Sequence, residues 1–195
     1  MKTKFILHGG YPNEENELNN SYFAEMVKST PNNGTILIVY FASKRGSVEE
    51  KYKRDSARLQ SFAKNKTINI AKATERKFIA EVKSADVIYL YPGDTQKLKT
   101  TLENYPNFKE TIKGKTVSGS SAGAYVLAKY YFTNSLNTVI GGFGCVPIRI
   151  VCHYKSKIHP VPEGANPIGA MEKHDTTLEL ILLKDYEWVV KEITT

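Results

Sequence analysis

Cysteine is scarce in this chain: two in 195 residues, Cys145 and Cys152. Their spacing fits no metal-ligand pattern and both lie among apolar neighbours, which excludes a disulfide scaffold or a thiolate metal cluster as the organising device. Long apolar runs are absent as well. Nothing approaches the roughly 18–20 residues of a membrane span. The N-terminal stretch Met1-Lys2-Thr3-Lys4-Phe5-Ile6-Leu7 is too briefly apolar for a signal-peptide core and reads as a first buried strand. Reduced thiols, a cytoplasmic location and no membrane partner are the expectations. Basic clusters are missing despite a net charge of +7, from 27 Lys and Arg against 20 Asp and Glu. The lysines are dispersed rather than gathered with aromatics or glycines, so no nucleic-acid partner is expected. Where cations do gather, at Lys51, Lys53, Arg54 and Arg58, the acids Glu49, Glu50 and Asp55 interleave with them, the pattern of a solvated helix face with i,i+4 pairs. Histidine is the scarcity with most consequence for chemistry. His8, His153, His159 and His174 are the whole supply.

What is present is an alternation. With 41% hydrophobic residues, the chain can bury one sizeable core, and a single domain over 1–195 is expected. Apolar β-prone runs at 5–7, 34–41, 67–70, 86–91 and 115–118 alternate with helical patterns at 20–28, 48–63, 75–83, 96–104 and 122–131. That order predicts an α/β fold with a parallel sheet and helices on both faces. The continuous run GTILIVYF at 34–41 suits a central strand buried on both sides. Beyond it, a strand at 146–152 ends at His153, a proline-rich loop follows over 154–174, and strands at 177–183 and 188–193 are joined by Lys184-Asp185-Tyr186-Glu187. Sites in such sheets form beyond the carboxyl ends of the strands. Gly9-Gly10, Pro92-Gly93-Asp94 and Gly119-Ser120-Ser121 each follow a strand, and so should meet on one rim.

The chemistry concentrates at Gly119-Ser120-Ser121-Ala122-Gly123-Ala124. Gly-x-Ser-x-Gly between a strand and a helix is the pattern of a nucleophile elbow, in which glycines make room for a sharp turn and the following helix points free N–H groups at the serine. The alternative is a small-residue turn that only packs closely. A serine hydroxyl needs a base to take its proton. Of the four histidines, His8 lies so near the first strand that it reads as a structural or peripheral group, and His159 and His174 sit in polar, exposed loop. His153 follows an apolar strand directly, which places it on the rim as the candidate base; a strand-end imidazole satisfied by backbone is the competing reading. A base needs an acid to fix its tautomer. Glu163, Glu172, Asp175, Glu179, Asp185 and Glu187 are available. Asp185, in a tight turn between strands, is the preferred one, with Glu187 second. The resulting order Ser, His, acid differs from that of an α/β-hydrolase, which runs Ser, acid, His.

Three segments together resemble the peptidase E (aspartyl dipeptidase) family, to which cyanophycinase is related. Tyr91-Pro92-Gly93-Asp94-Thr95-Gln96-Lys97-Leu98 is similar to the family's glycine-rich G-G-N/D-T-x-x-L turn, with Pro92 in place of one glycine. Gly119-Ser120-Ser121-Ala122-Gly123-Ala124 matches its G-x-S-A-G-A elbow. Gly142-Phe143-Gly144 with the strand ending at His153 resembles the segment that delivers the catalytic histidine. The resemblance implies a three-layer α/β sandwich with a mostly parallel central sheet, flavodoxin-like and akin to class I glutamine amidotransferases. It implies a serine peptidase for small peptides, with Ser121 as nucleophile, His153 as base, Asp185 as acid, and the Gly93 and Ala122 backbone N–H groups as oxyanion donors. Asp94, Thr95, Gly10 and Tyr154, beside these turns, are the candidates for substrate contact. The stretch over 154–174 lacks the arginine pattern associated with an N-terminal aspartate, and Arg149, Lys155 and Lys157 are the cations nearest to His153 in sequence. The same loop is expected to cover the cleft. A small peptide is the expected partner; a homodimer is open; no cofactor and no metal are expected. An esterase or amidase for another small acyl group, or a catalytically silent ligand-binding member of the same fold, are the competing functions.

Overall fold

The computed structural model describes residues 1–43 and 48–194. In chain order these form β1 (Lys2–His8), α1 (Glu17–Ser29), β2 (Gly34–Val39), α2 (Val48–Ser61), β3 (Ile68–Lys72), α3 (Phe78–Ser84), β4 (Val87–Leu90), α4 (Thr95–Glu103), α5 (Phe108–Thr111), β5 (Thr116–Ser120) and α6 (Ala122–Leu127). Then come β6 (Ala128–Thr133), β7 (Thr138–Gly141), β8 (Val146–Val151), α7 (Pro167–Met171), β9 (Glu179–Leu182) and β10 (Trp188–Thr194). Six strands make a sheet ordered β10-β1-β5-β4-β2-β3, parallel throughout except for the antiparallel edge strand β10. Four more make a second sheet, β7-β6-β8-β9, in which only β7 is antiparallel.

The strand sequences explain the layering. Side chains of a strand alternate between faces, and here both faces are apolar. Ile6, Ile36, Ile38, Val87 and Tyr89 pack on one side against Tyr22, Phe23, Met26 and Val27 of α1 and Leu59 of α2. Their neighbours Phe5, Leu7, Leu37, Val39, Ile88 and Leu90 pack on the other against α3, α4, α5, α6 and the inner face of the second sheet. This two-sided burial requires the continuous apolar runs seen in the sequence. The result is the expected α/β sandwich with a mostly parallel central sheet.

Four features go beyond or against the sequence expectation. The helix expected over 122–131 stops at Leu127, and residues 128–133 form β6. Tyr130-Tyr131-Phe132-Thr133 is aromatic and β-prone, and pairing with β8 buries Tyr131 and Phe132. The strands on either side of Asp185 do not pair with each other: β9 joins β8 in the second sheet and β10 joins β1 in the first, so the turn between them crosses from sheet to sheet. The loop over 154–174 contains α7, whose Met171 is buried on Phe132 and Val151. Finally, α2 does not present a wholly solvated charged face. Asp55 is buried, accepts from Tyr40 Oη at 2.8 Å and pairs with Arg54, while Arg58 stacks over Phe23. Burial raises the Asp55 carboxyl above its ordinary value, opposed by those hydrogen bonds. Among the described residues no helix is long and apolar enough to cross a membrane, and no His, Cys, Asp and Glu group is arranged to hold a metal ion.

Candidate active site

β5 ends at Ser120, and Ser121 turns the chain into α6 with φ 48° and ψ −103°. A positive φ is costly for a side chain with a Cβ, of order 1–3 kcal/mol, so the surroundings must hold it. They do so by close packing and two backbone bonds. A Cβ on Gly119 would lie 2.5 Å from Gly123 C, and one on Gly123 would lie 2.3 Å from Leu90 O. Both positions therefore require glycine. The Ser121 N–H donates to His8 O at 2.9 Å, and Ser121 O accepts from Tyr125 N at 2.9 Å.

His153 follows β8 and reaches this turn from the second sheet. Its Nε2 lies 3.0 Å from Ser121 Oγ, and its Nδ1 lies 2.7 Å from Asp185 Oδ1. Asp185 comes from the turn between β9 and β10, so the two sheets contribute jointly. The carboxylate accepts a hydrogen bond from Nδ1–H, which leaves the Nε2 lone pair facing the serine hydroxyl; this tautomer follows from the hydrogen-bond partners. Burial lowers the His153 pKa below its ordinary 6.5, opposed by the hydrogen bond and charge of Asp185 and assisted by nearby His159. The imidazole is therefore neutral near pH 7. A hydroxyl held against such an imidazole can lose its proton as it attacks a carbonyl carbon.

The remaining candidate residues are placed differently. Asp94 and Thr95 line a cavity of about 380 Å³ beside Ser121 and His153, together with Gly93, Tyr125 and Tyr131. Asp94 also caps α4, accepting from Lys97 N at 2.9 Å. Gly93 lines the same cavity, and Ala122 is the first residue of α6, directly after Ser121. Gly10 stands behind the site: with φ +135°, a Cβ there would come within 2.0 Å of His153 Cε1. Tyr154 corrects the expectation. It packs against the Phe132, Val151 and Met171 cluster and does not line the cleft. Arg149 is likewise not a free cation near the site, because it is buried and donates to the carbonyls of Met171, His174 and Leu178. Glu187 turns to Lys184, accepting from its backbone N at 2.9 Å, and Glu163 is exposed.

The cover of the cleft also differs from expectation. The loop after His153 supplies only His159 to the lining, whereas Thr133 at the end of β6 and Asn134, Ser135 and Leu136 just after it form the wall. The expected helix over 122–131 concealed this wall. Ser156 was also missed. Its Oγ donates to Asp185 Oδ2 at 2.5 Å, a contact that a short serine-containing loop does not announce. A second lobe of about 340 Å³ shares Gly93, Ser121, His153 and His159 with the first and is otherwise lined by Tyr11, Pro12, Asn13, Lys51, Tyr91 and Pro92.

A sequence profile described as peptidase family S51 matches residues 5–192. Among solved structures, a peptidase from an acI-B1 Actinobacterium superposes with a TM-score of 0.71 at 20% identity, over 97% of this chain and 83% of its own. A Listeria monocytogenes EGD-e protein provisionally assigned as peptidase E superposes with a TM-score of 0.65 at 16% identity, over 100% of both chains. Both are similar in fold. No curated protein sequence matches the chain.

Proposed function

The chain belongs to peptidase family S51 and is a serine-type peptidase, and from that premise we propose that it cleaves peptides of a few residues through Ser121, His153 and Asp185. The observation that carries this reading is the unbroken pair of hydrogen bonds, 3.0 Å from Ser121 Oγ to His153 Nε2 and 2.7 Å from His153 Nδ1 to Asp185 Oδ1. Ser121 Oγ attacks the scissile carbonyl while His153 Nε2 takes its proton, and Asp185 stabilises the imidazolium. The Gly93 and Ala122 amides receive the developing oxyanion; removing one such donor typically costs roughly 100- to 1000-fold. His153 then protonates the departing amine, and water repeats the sequence in reverse on the acyl-enzyme.

Cleft size and charge support a short substrate. The two lobes, about 380 and 340 Å³, meet at Ser121, with Asp94 in the first and Lys51 in the second. A free α-ammonium suits the first and a free α-carboxylate the second. Among the described residues no lysine or arginine lines the larger lobe, so an aspartate side chain on the acyl side lacks a cationic partner. A neutral side chain fits beside Tyr125, Tyr131 and Ile140.

A fluorophosphonate should label wild type and leave Ser121→Ala unlabelled. Dipeptides and tripeptides with neutral first residues should be hydrolysed, and blocking either terminus should weaken them. Asp185→Asn should fold and lose roughly 10⁴-fold in turnover, because the imidazole loses its orienting acceptor. Digestion of denatured casein with no activity on dipeptides or tripeptides would overturn this reading.

A further inference from the structure

The backbone of the site has one common support. Three consecutive carbonyls of the segment His8-Gly9-Gly10 accept hydrogen bonds from the three parts of the candidate triad. His8 O accepts from Ser121 N at 2.9 Å, Gly9 O from His153 N at 3.1 Å, and Gly10 O from Tyr186 N, next to Asp185, at 3.1 Å. Glu187 O accepts from Gly9 N at 2.8 Å, which ties the segment again to the Asp185 turn. The segment also underlies the His153 ring, through Gly10. A displacement of these residues would move all three triad members relative to one another.

The His8 side chain fixes that segment. Asn19 Nδ2 donates to Tyr11 O at 2.9 Å and Glu14 O at 2.8 Å, so its Oδ1, 2.8 Å from His8 Nε2, is an acceptor. His8 therefore carries its proton on Nε2 and presents the Nδ1 lone pair. Gly10 N donates to that Nδ1 at 3.1 Å, and Ser120 Oγ, from the residue before Ser121, lies 3.0 Å away. The imidazole thus closes a loop onto its own chain two residues later while touching the end of β5. It is fully buried and reaches neither lobe of the cleft.

We propose that His8 is a positioning residue for the reaction: its Nδ1 acceptor holds the His8-Gly9-Gly10 segment in the shape whose carbonyls align Ser121, His153 and Asp185. The proposal rests on the assignment of those three residues as the triad. It requires an acceptor at the Nδ1 position, not an imidazole as such. Asparagine places its Oδ1 near Nδ1, whereas glutamine places its terminal amide near Nε2 and leaves Gly10 N without a partner.

The test compares wild type, His8→Asn and His8→Gln for kcat and KM on a dipeptide, for the rate of fluorophosphonate labelling, and for thermal stability. His8→Asn should remain within about tenfold of wild type. His8→Gln should lose about 100-fold in kcat and in labelling with KM nearly unchanged, the scale of a small misplacement of reacting groups. Equal activity in the two variants, high or low, would overturn the proposal. Should either variant fail to fold, imidazole ¹⁵N spectra of the wild-type protein decide: an Nε2–H tautomer for His8 supports the proposal and an Nδ1–H tautomer overturns it. Ser121→Ala separates the two levels. Turnover surviving in that variant would remove the triad assignment, and with it the proposal, even with the His8 tautomer as stated.

Discussion

Two strand ends, one from each sheet, carry a buried histidine, and the two rings have opposite surroundings. At the end of β1, His8 is sealed from solvent, with both ring nitrogens committed to Asn19 on one side and Gly10 and Ser120 on the other. At the end of β8, the His153 side chain is 10% exposed and its Nε2 points at a serine hydroxyl in an open cleft. Burial lowers the pKa of each, that of His8 to about 4. Only His153 has a carboxylate bonded to it, which can stabilise a transient positive charge. A neutral partner such as Asn19 holds a neutral ring; a charged partner such as Asp185 would allow the ring to gain a proton in the proposed turnover.

The largest contrast should appear on removing each ring. His153→Ala should lower kcat by roughly 10⁴-fold or more, because base and proton donor are lost together. Its stability should change little, since the site already carries a strained turn and a desolvated imidazole. His8→Ala should do the reverse in emphasis. It leaves Gly10 N and Asn19 Oδ1 unpaired in a closed cavity, at about 1–3 kcal/mol for each group, so the melting temperature should fall clearly. Turnover and melting curves on the two variants check this. A His153→Ala protein that keeps a tenth of wild-type turnover would erase the distinction.

That distinction was partly legible in the sequence. Ser121 announces itself through glycines at fixed offsets, a local signal that needs no knowledge of the fold. His153 and Asp185 could be proposed because one follows an apolar strand and the other sits in a short turn, and the topology brings such ends to one rim. The parallel core was legible for the same reason, since strands buried on both faces leave continuous apolar runs. The second sheet was not. Residues 122–133 run from helix to strand with no turn residue between Leu127 and Ala128, so no local break marks the change. The cleft wall at Thr133–Leu136 disappeared with it. Asp55 and Ser156 were missed because their roles depend on Tyr40 and Asp185, distant in sequence, and nothing local records such pairings.

Acid separates the two histidines at intermediate scale. The folded protein holds the pKa of His8 at about 4, below the ordinary 6.5 of an unfolded chain. The unfolded state therefore takes up the proton first. The stability tied to neutral His8 is complete above about pH 6.5 and is lost as pH falls toward 4, amounting to about 3 kcal/mol. Urea unfolding across that range should show the loss, and His8→Asn should flatten it. His153 should instead set the acid limb of kcat/KM, with an apparent pKa below 6.5 because burial dominates its environment. An acid limb centred above pH 7, or a stability profile unchanged by His8→Asn, would show that the two environments do not differ in this way.

The smallest expected effect concerns the carboxylate that sets His153 apart. Ser156 Oγ donates to Asp185 Oδ2 at 2.5 Å and accepts from the amides of Ile158 and His159 at 3.1 and 2.9 Å. The hydroxyl therefore fixes the outer oxygen of Asp185 while tying it to the turn that brings His159 to the cleft. Ser156→Ala removes one hydrogen bond to a charged group, worth about 1.5–3 kcal/mol when fully buried. Here the Asp185 side chain is 12% exposed, so water can replace part of it. About a tenfold fall in kcat should result, with KM nearly constant. The acid limb should move upward, because a carboxylate with one donor fewer holds the imidazolium more strongly. Ser156→Thr keeps the hydroxyl and should recover most of the turnover. Steady-state kinetics on both variants across pH make the check: an alanine variant within twofold of wild type, or a threonine variant no better than alanine, would mean that Asp185 is held by His153 and its own turn alone.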